Sequence, residues 1–260
     1  MFPFINIFGI RLASYGILVA LGLLAGLLLS LNLAKRYQFP KEDIVYSYLL
    51  AGCGAAVAGK ILYILTILPD LIRALKNRVS ISLISQAILQ GGLVFFGALI
   101  GAIFSIYLYA KYFKLNLEEL LRFLLPGLPL AHAIGRIGCL AAGCCYGQPS
   151  ENYGLRFDAS PIAPHGVKLL PTQLIEAVFC LFILFVLLRA FSAGLSGFKL
   201  ATIYCLLYLP FRFILEFFRG DALRGYFWLF STSQWISLIL FVILLYLVLR
   251  KKSVLTREDI

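Results

Sequence analysis

Long apolar runs alternate along this chain with short clusters of polar and charged residues. Runs near the roughly 20 residues that cross about 30 Å of hydrocarbon cover residues 12–34, 44–68, 91–110, 123–140, 172–188, 200–218 and 232–249. Each predicts a membrane-spanning helix, because only a helix satisfies its own backbone polar groups in lipid. The expected fold is an all-α integral membrane protein of about seven spans, with a central cavity open sideways to lipid and a small extracytoplasmic head.

Composition excludes the soluble classes. Hydrophobic residues make up 62% and charged residues 13%, against roughly 45–50% and about 25% in soluble domains. The first apolar run has no basic leader and no small-residue cleavage site before polar sequence, so a retained helix is expected rather than a signal peptide. Lys35, Arg36, Lys41, Lys111, Lys114, Arg122, Arg189, Lys199, Arg250, Lys251, Lys252 and Arg257 fall on the side of the C-terminus. The other side holds Arg11, Arg73, Lys76, Arg78, Arg156, Lys168, Arg219 and Arg224. This balance places the N-terminus outside and the C-terminus in the cytoplasm. The net charge of +11 belongs to residues that flank spans, which suits anionic lipid head groups and not nucleic acid.

No repeat or long linker divides the chain, so residues 1–260 are expected to form a single transmembrane domain. Three connecting segments, at residues 69–90, 146–170 and 220–231, lie on the outer face in this topology. The middle one is rich in Pro, Gly and Asn, and residues 141–170 are expected to form an irregular extracytoplasmic loop or head. Trp228 and Trp235 suit anchoring at the outer interface.

Charges inside the spans carry the functional signal. A charge at mid-bilayer costs about 2.5–3.5 kcal/mol, so Lys60, Arg136, Arg212, Glu216 and Glu176 need partners or a wet cavity. Lys60 and Glu176 could instead sit near helix ends and snorkel. In FRFILEFFRGD, Arg212, Glu216 and Arg219 stand at i, i+4 and i+7, one face of a continuous helix. A salt-bridge ladder would use Glu216 with one arginine and leave the second free for a phosphate. In HAIGRIGCLAAGCCYG, residues 132–147, His132 and Arg136 again stand one turn apart, among glycines that allow close approach.

Taken in order, these residues resemble the bacterial prolipoprotein diacylglyceryl transferases. GRIG at residues 135–138, followed by Gly143 and Gly147, resembles the family signature. IRLASYG with Tyr15, GKILY with Lys60, GGLVFFGALIG at residues 91–101, PTQLIE at residues 171–176 and RFILEFFR at residues 212–219 resemble further family elements in the family's order. The resemblance implies an enzyme of the bacterial inner membrane. It would move the diacylglyceryl group of phosphatidylglycerol to the lipobox cysteine thiol of a prolipoprotein, forming a thioether and releasing glycerol phosphate, with no cofactor and no metal. By motif match, Arg136 and Arg212 would handle the phosphate. Glu216 and Arg219 would complete the site, and Tyr15 would offer a hydroxyl near the head group. Lys60, Gly135, Cys139, Gly143, Gly147 and Gln173 would line the substrate site.

Departures from the family pattern are specific. Cys139 and Ala142 stand where asparagines are expected, and Cys144 where a glutamate is expected. Phe96 and Leu170 replace histidines, and Lys60 replaces an arginine. His132 is the candidate substitute for the base absent at Phe96, its alternative being a histidine satisfied within the bundle; His165 is expected to be solvated. For Cys139, Cys144 and Cys145 three readings stand: small packing residues, redox-active thiols, or zinc ligands together with His132, although C-x4-C-C lacks the usual two-residue ligand gap. Cys53, Cys180 and Cys205 lie in apolar runs as core. Functionally, a transferase with a remodelled pocket leads. A paralogue with another acceptor or cysteine-based chemistry, or a non-catalytic phospholipid-binding or transport protein, are the alternatives.

Overall fold

Helix after helix in the computed structural model begins and ends close to the limits set by the apolar runs. The structure describes every residue except Met1, Phe8, Arg78, Gly91, Leu93, Ala222, Leu223, Arg224, Asp259 and Ile260. Arg78 and Arg224 of the charge count and Gly91 of the glycine-rich element therefore lie outside the described residues. An antiparallel hairpin of β1 (Phe4–Ile7) and β2 (Ile10–Ala13) leads into α1 (Ser14–Arg36). Then come α2 (Lys41–Lys76), α3 (Ile81–Gln90), α4 (Phe95–Tyr112), α5 (Leu117–Leu124) and α6 (Gly127–Ala142). Two-residue strands β3 (Leu155–Arg156) and β4 (Lys168–Leu169) precede α7 (Thr172–Ser192) and α8 (Gly197–Glu216). After β5 (Tyr226–Phe227) and β6 (Phe230–Ser231), α9 (Thr232–Glu258) closes the chain. Seven of these helical stretches are long and apolar enough to cross a membrane, with α5 and α6 together supplying the fourth. The chain is an all-α multi-span membrane protein.

Helix α9 runs past the expected limit at residue 249 to Glu258, and two other departures from the apolar pattern have physical reasons. The apolar run of α2 stops at residue 68, but the helix continues through Pro69 to Lys76; proline removes one donor, and a helix long on both sides tolerates that. The hairpin β1–β2 leaves no trace in the apolar pattern, since its four-residue strands are shorter than any periodicity test resolves.

The chain divides into two compact units, residues 34–120 and residues 1–33 with 121–260. In the first, α2 packs on α4 so closely that glycine is required. A Cβ on Gly101 would lie 2.1 Å from the Gly54 carbonyl oxygen, and one on Gly97 would lie 2.6 Å from that of Ala58. Close crossing at small residues is how membrane helices gain contact without a hydrophobic drive between them. Lys60 also lies here, donating to the Leu89 carbonyl at 3.3 Å and standing over the Tyr63 ring.

In the second unit α6, α7, α8 and α9 pack in sequence, and α1 meets α6 at Gly22 and Gly138. Helix α7 shows how the bundle is oriented. Its buried stripe runs Gln173, Glu176, Cys180, Ile183 and Leu187, while Val178, Leu181, Phe182 and Phe185 face outward. The stripe follows the three- and four-residue spacing of one helix face, and the outward face is as apolar as lipid requires. Between α6 and α7 the connecting segment is mostly turns around a small core of Phe157, Ala163 and Leu169. Ser160 ties it to α6, its hydroxyl donating to the Ala142 carbonyl at 2.9 Å and accepting from the Ala163 amide at 3.1 Å. His165 is exposed, as expected, and also bonds through Nε2 to the Ser160 carbonyl at 2.8 Å.

Candidate active site

Three consecutive helices contribute to a single, largely buried charged cluster. Helix α6 presents His132 and Arg136, α7 presents Glu176, and α8 presents Tyr208, Arg212 and Glu216. Glu176 lies at the centre with a side chain only 1% exposed. Its Oε1 accepts from Arg136 Nη2 at 2.8 Å and from the Tyr208 hydroxyl at 2.7 Å, and lies 3.6 Å from His132 Nε2. Its Oε2 faces Arg212 Nη1 at 3.9 Å. Arg212 Nη2 in turn donates to Glu216 at 2.7 Å, and Glu216 also accepts from the hydroxyls of Ser231 at 3.0 Å and Ser233 at 3.3 Å. Glu176 is thus no snorkelling residue; it is the hinge of an alternating row, arginine, carboxylate, arginine, carboxylate.

This row has no net charge, which is what allows four ionised groups to be buried together. It also revises the expectation of a free arginine: Arg136, Arg212 and Arg219 each have a carboxylate partner. What remains open in the row, among the described residues, is one guanidinium nitrogen. Arg212 Nη1 is buried and, among the described residues, has no hydrogen-bond partner; at 3.9 Å its approach to Glu176 is an ion-pair distance and too long for a hydrogen bond. A buried guanidinium N–H held by its neighbours and left unsatisfied is a donor waiting for an acceptor.

Residues 3–250 match the family model described as prolipoprotein diacylglyceryl transferase. The chain belongs to the prolipoprotein diacylglyceryl transferase family. Similar relatives include the phosphatidylglycerol–prolipoprotein diacylglyceryl transferase of Clostridium tetani, 35% identical over 92% of each chain. The transferase 2 of Clostridium perfringens is 36% identical over 93% of this chain and 92% of its own. That of Dehalococcoides mccartyi is 36% identical over 79% of this chain and 76% of its own.

Within this family member the residues singled out from sequence separate into groups. Arg136, Arg212, Glu216 and His132 meet in the charged row. His132 meets it as an acceptor, Nε2 receiving Arg136 Nε–H at 3.3 Å, and its ring lies edge-on to Tyr208 with centroids 5.2 Å apart. The Nε2 lone pair that a general base would use is thus engaged by the Arg136 guanidinium in this structure.

Arg219 departs from the helical prediction. Helix α8 ends at Glu216, and Phe217 and Phe218 form a turn, so Arg219 leaves the face shared by Arg212 and Glu216. It bridges to Gly147 and pairs with Asp221 at 3.2 Å. Burial pushes the Asp221 carboxyl above the usual aspartate range, with Arg219 acting against the shift. Gly147 is required by close packing, since a Cβ there would lie 2.7 Å from the Leu170 carbonyl oxygen and 2.8 Å from that of Phe218. Gly143 holds φ +71° at the end of α6. Gly135 is the looser case, with only Val19 Cγ2 at 4.0 Å.

Gln173, buried at the start of α7, donates to the Cys144 carbonyl at 2.7 Å. Cys139, Cys144 and Cys145 come together, their three sulfurs within 4.8 Å of one another. Tyr15 is half exposed on the first turn of α1, whose backbone runs 3.4 Å from a Cβ placed on Gly138. Lys60 belongs to the other unit. Tyr208, Ser231, Ser233 and Asp221 are participants that sequence reasoning missed. Asp221 alone carried a signal, as a carboxylate two residues from Arg219.

Proposed function

We propose that this chain transfers the diacylglyceryl group of phosphatidylglycerol to the lipobox cysteine thiol of a prolipoprotein, and that the row Arg136, Glu176, Arg212 and Glu216 is where the phosphate is held. The family match and the activity in the relatives' names support the reaction. The observation that carries the site is the unsatisfied Nη1 of Arg212, one of two arginines held by buried carboxylates.

In the reaction the acceptor thiol gives its proton to water, and its sulfur forms a bond to the terminal glyceryl carbon. The bond from that carbon to the phosphate oxygen breaks, and the electron pair leaves with glycerol phosphate. Negative charge grows on the leaving phosphate, and donors already aimed at that position stabilise it without reorganising. Glu176 and Glu216 hold the guanidinium forks, so the phosphate finds them in place. Tyr15 would contribute a hydroxyl near the head group, and Gln173 and the signature glycines would shape the surrounding walls. The enzyme works in the cytoplasmic membrane of a bacterium, with the N-terminus outside and the C-terminus in the cytoplasm. That topology follows from the basic residues that flank the spans.

The test is release of glycerol phosphate from phosphatidylglycerol vesicles by the purified protein, with and without a lipobox peptide. Peptide-dependent release that falls at least about a hundredfold in Arg136→Ala and Arg212→Ala is expected. Peptide-dependent release that survives both substitutions would overturn the assignment of the site.

A further inference from the structure

Two of the three thiols, Cys139 and Cys144, stand where the family motif carries an amide and a carboxylate, and the local backbone explains how the trio forms. At the end of α6 the Gly143 amide donates to the Leu140 carbonyl at 3.2 Å and the Cys144 amide to the Cys139 carbonyl at 3.1 Å. These two bonds make a Schellman cap, with glycine in the left-handed position. The cap sets the residue after the glycine against the one five positions earlier, here Cys144 against Cys139. Cys145 follows at φ +61°, a left-handed conformation uncommon for a residue with a Cβ. Its carbonyl is held by the Thr172 hydroxyl at 2.8 Å and that of Cys144 by Gln173 at 2.7 Å. Helix α7 thus pins the backbone in the turn that brings the third sulfur within 4.8 Å of the other two. Packing of small apolar residues requires neither the left-handed cysteine nor the convergence of all three sulfurs.

Bonds of about 2.3 Å to a tetrahedral zinc place thiolate sulfurs roughly 3.8 Å apart, within reach of small side-chain rotations from the observed spacing. The missing two-residue ligand gap is supplied by the helix cap, which closes C-x4-C as a short gap closes C-x2-C. Three protein donors with one open position is the make-up of a catalytic rather than a structural zinc site. Arg136 precedes Cys139 by three residues on α6, which puts the trio one turn from the arginine assigned to the phosphate.

We propose that Cys139, Cys144 and Cys145 form a tri-thiolate site for a thiophilic divalent cation of the zinc class, whose fourth position takes the acceptor thiol of the substrate peptide. The second half rests on the transferase reading. It meets a need the site leaves open, since Phe96 replaces the family's histidine and the Nε2 of His132 is engaged by Arg136. A thiol that coordinates zinc is deprotonated outright. The peptide thiol gives its proton to water on binding. The bound sulfur then forms its bond to the glyceryl carbon as the bond from that carbon to the phosphate oxygen breaks, and the thioether leaves the metal, which returns to three thiolates.

The experiment uses the whole purified protein, reduced, stripped by a chelator and then given Zn2+ or Co2+ alone. The expected result is one zinc retained per chain through gel filtration, a sulfur-to-metal charge-transfer band with Co2+, and a zinc-dependent rise in thermal midpoint. Cys139→Ser, Cys144→Ser and Cys145→Ser each weaken binding by at least about tenfold, and the triple variant loses the band and the thermal rise while its zinc-free midpoint shows that it folds. Cys53→Ser, Cys180→Ser and Cys205→Ser change nothing. Absence of retained zinc, equal retention by the triple variant, or a disulfide within the trio of the isolated protein would overturn the metal site. If zinc binds at the trio and the stripped protein transfers diacylglyceryl at the full rate, the role in acceptor activation is overturned and the transferase reading stands. If zinc binds there and neither form transfers, the transferase reading fails and the metal site stands.

Discussion

Glu176→Gln is the substitution that asks most of the charged row. Glu176 is the carboxylate that faces both Arg136 and Arg212, and its side chain is 1% exposed. With glutamate the row of two arginines and two carboxylates sums to zero; with glutamine a full positive charge is left buried. Removing one partner of a buried pair costs about 3–5 kcal/mol. The glutamine carbonyl can still accept from Tyr208 and Arg136, so the expected loss lies near 3 kcal/mol. For a chain of this length that lowers the thermal midpoint by roughly 5–10 °C. A phosphate entering the row would restore the missing charge, so phosphatidylglycerol should recover about half of the loss and a zwitterionic lipid none. The assay is thermal unfolding in uncharged detergent, with and without each lipid. A midpoint within about 1 °C of the wild type, or a loss that both lipids repair equally, would refute the reasoning.

Three further substitutions probe other parts of the account. Arg212→Lys keeps the charge and loses the planar fork that places Nη1 and Nη2 together, so kcat/KM for phosphatidylglycerol should fall about 10²–10³-fold, read from initial rates of glycerol phosphate release. Gly143→Ala puts a Cβ at φ +71° and 2.5 Å from the Ser160 Cβ, and should destabilise the protein by about 1–3 kcal/mol in a thermal melt. Asp221 has its carboxyl raised by burial, so the folded state holds that proton above the ordinary range near pH 4 and stability falls as pH rises through the raised value. Asp221→Asn should lack this decline when thermal midpoints are followed upward from about pH 4.

The spans were legible because lipid imposes length and composition on a helix and little else. The same uniformity hid the interior. On α7 the inward stripe and the lipid-facing residues are alike apolar except for Gln173 and Glu176, so hydrophobic pattern alone could not say which face holds the site, and the isolated Glu176 read equally well as an end residue. Arg136 and Arg212 were legible from the cost of a buried charge. Glu216 was legible as well, one turn after Arg212 on the same helix; Glu176 was harder, because a pairing across helices depends on packing that no single-helix spacing encodes. The i, i+7 reading of Arg219 failed at the turn of Phe217 and Phe218, two aromatic residues that carry no breaker signal. Tyr208, Ser231 and Ser233 gave no signal at all, since hydroxyl residues are common in helices and turns. The cysteine trio was within reach: C-x3-G-C places two thiols at the contacting positions of a helix cap once Gly143 is read as its left-handed residue.

The central claim is tested most directly by the product itself. Purified protein, phosphatidylglycerol and a synthetic lipobox peptide are incubated together, and the peptide is analysed by mass spectrometry. A diacylglyceryl group in thioether linkage on the lipobox cysteine is expected with the wild type and is expected to be absent with Arg136→Ala. A peptide left unmodified, while the protein still binds phosphatidylglycerol through Arg136 and Arg212, would contradict the claim.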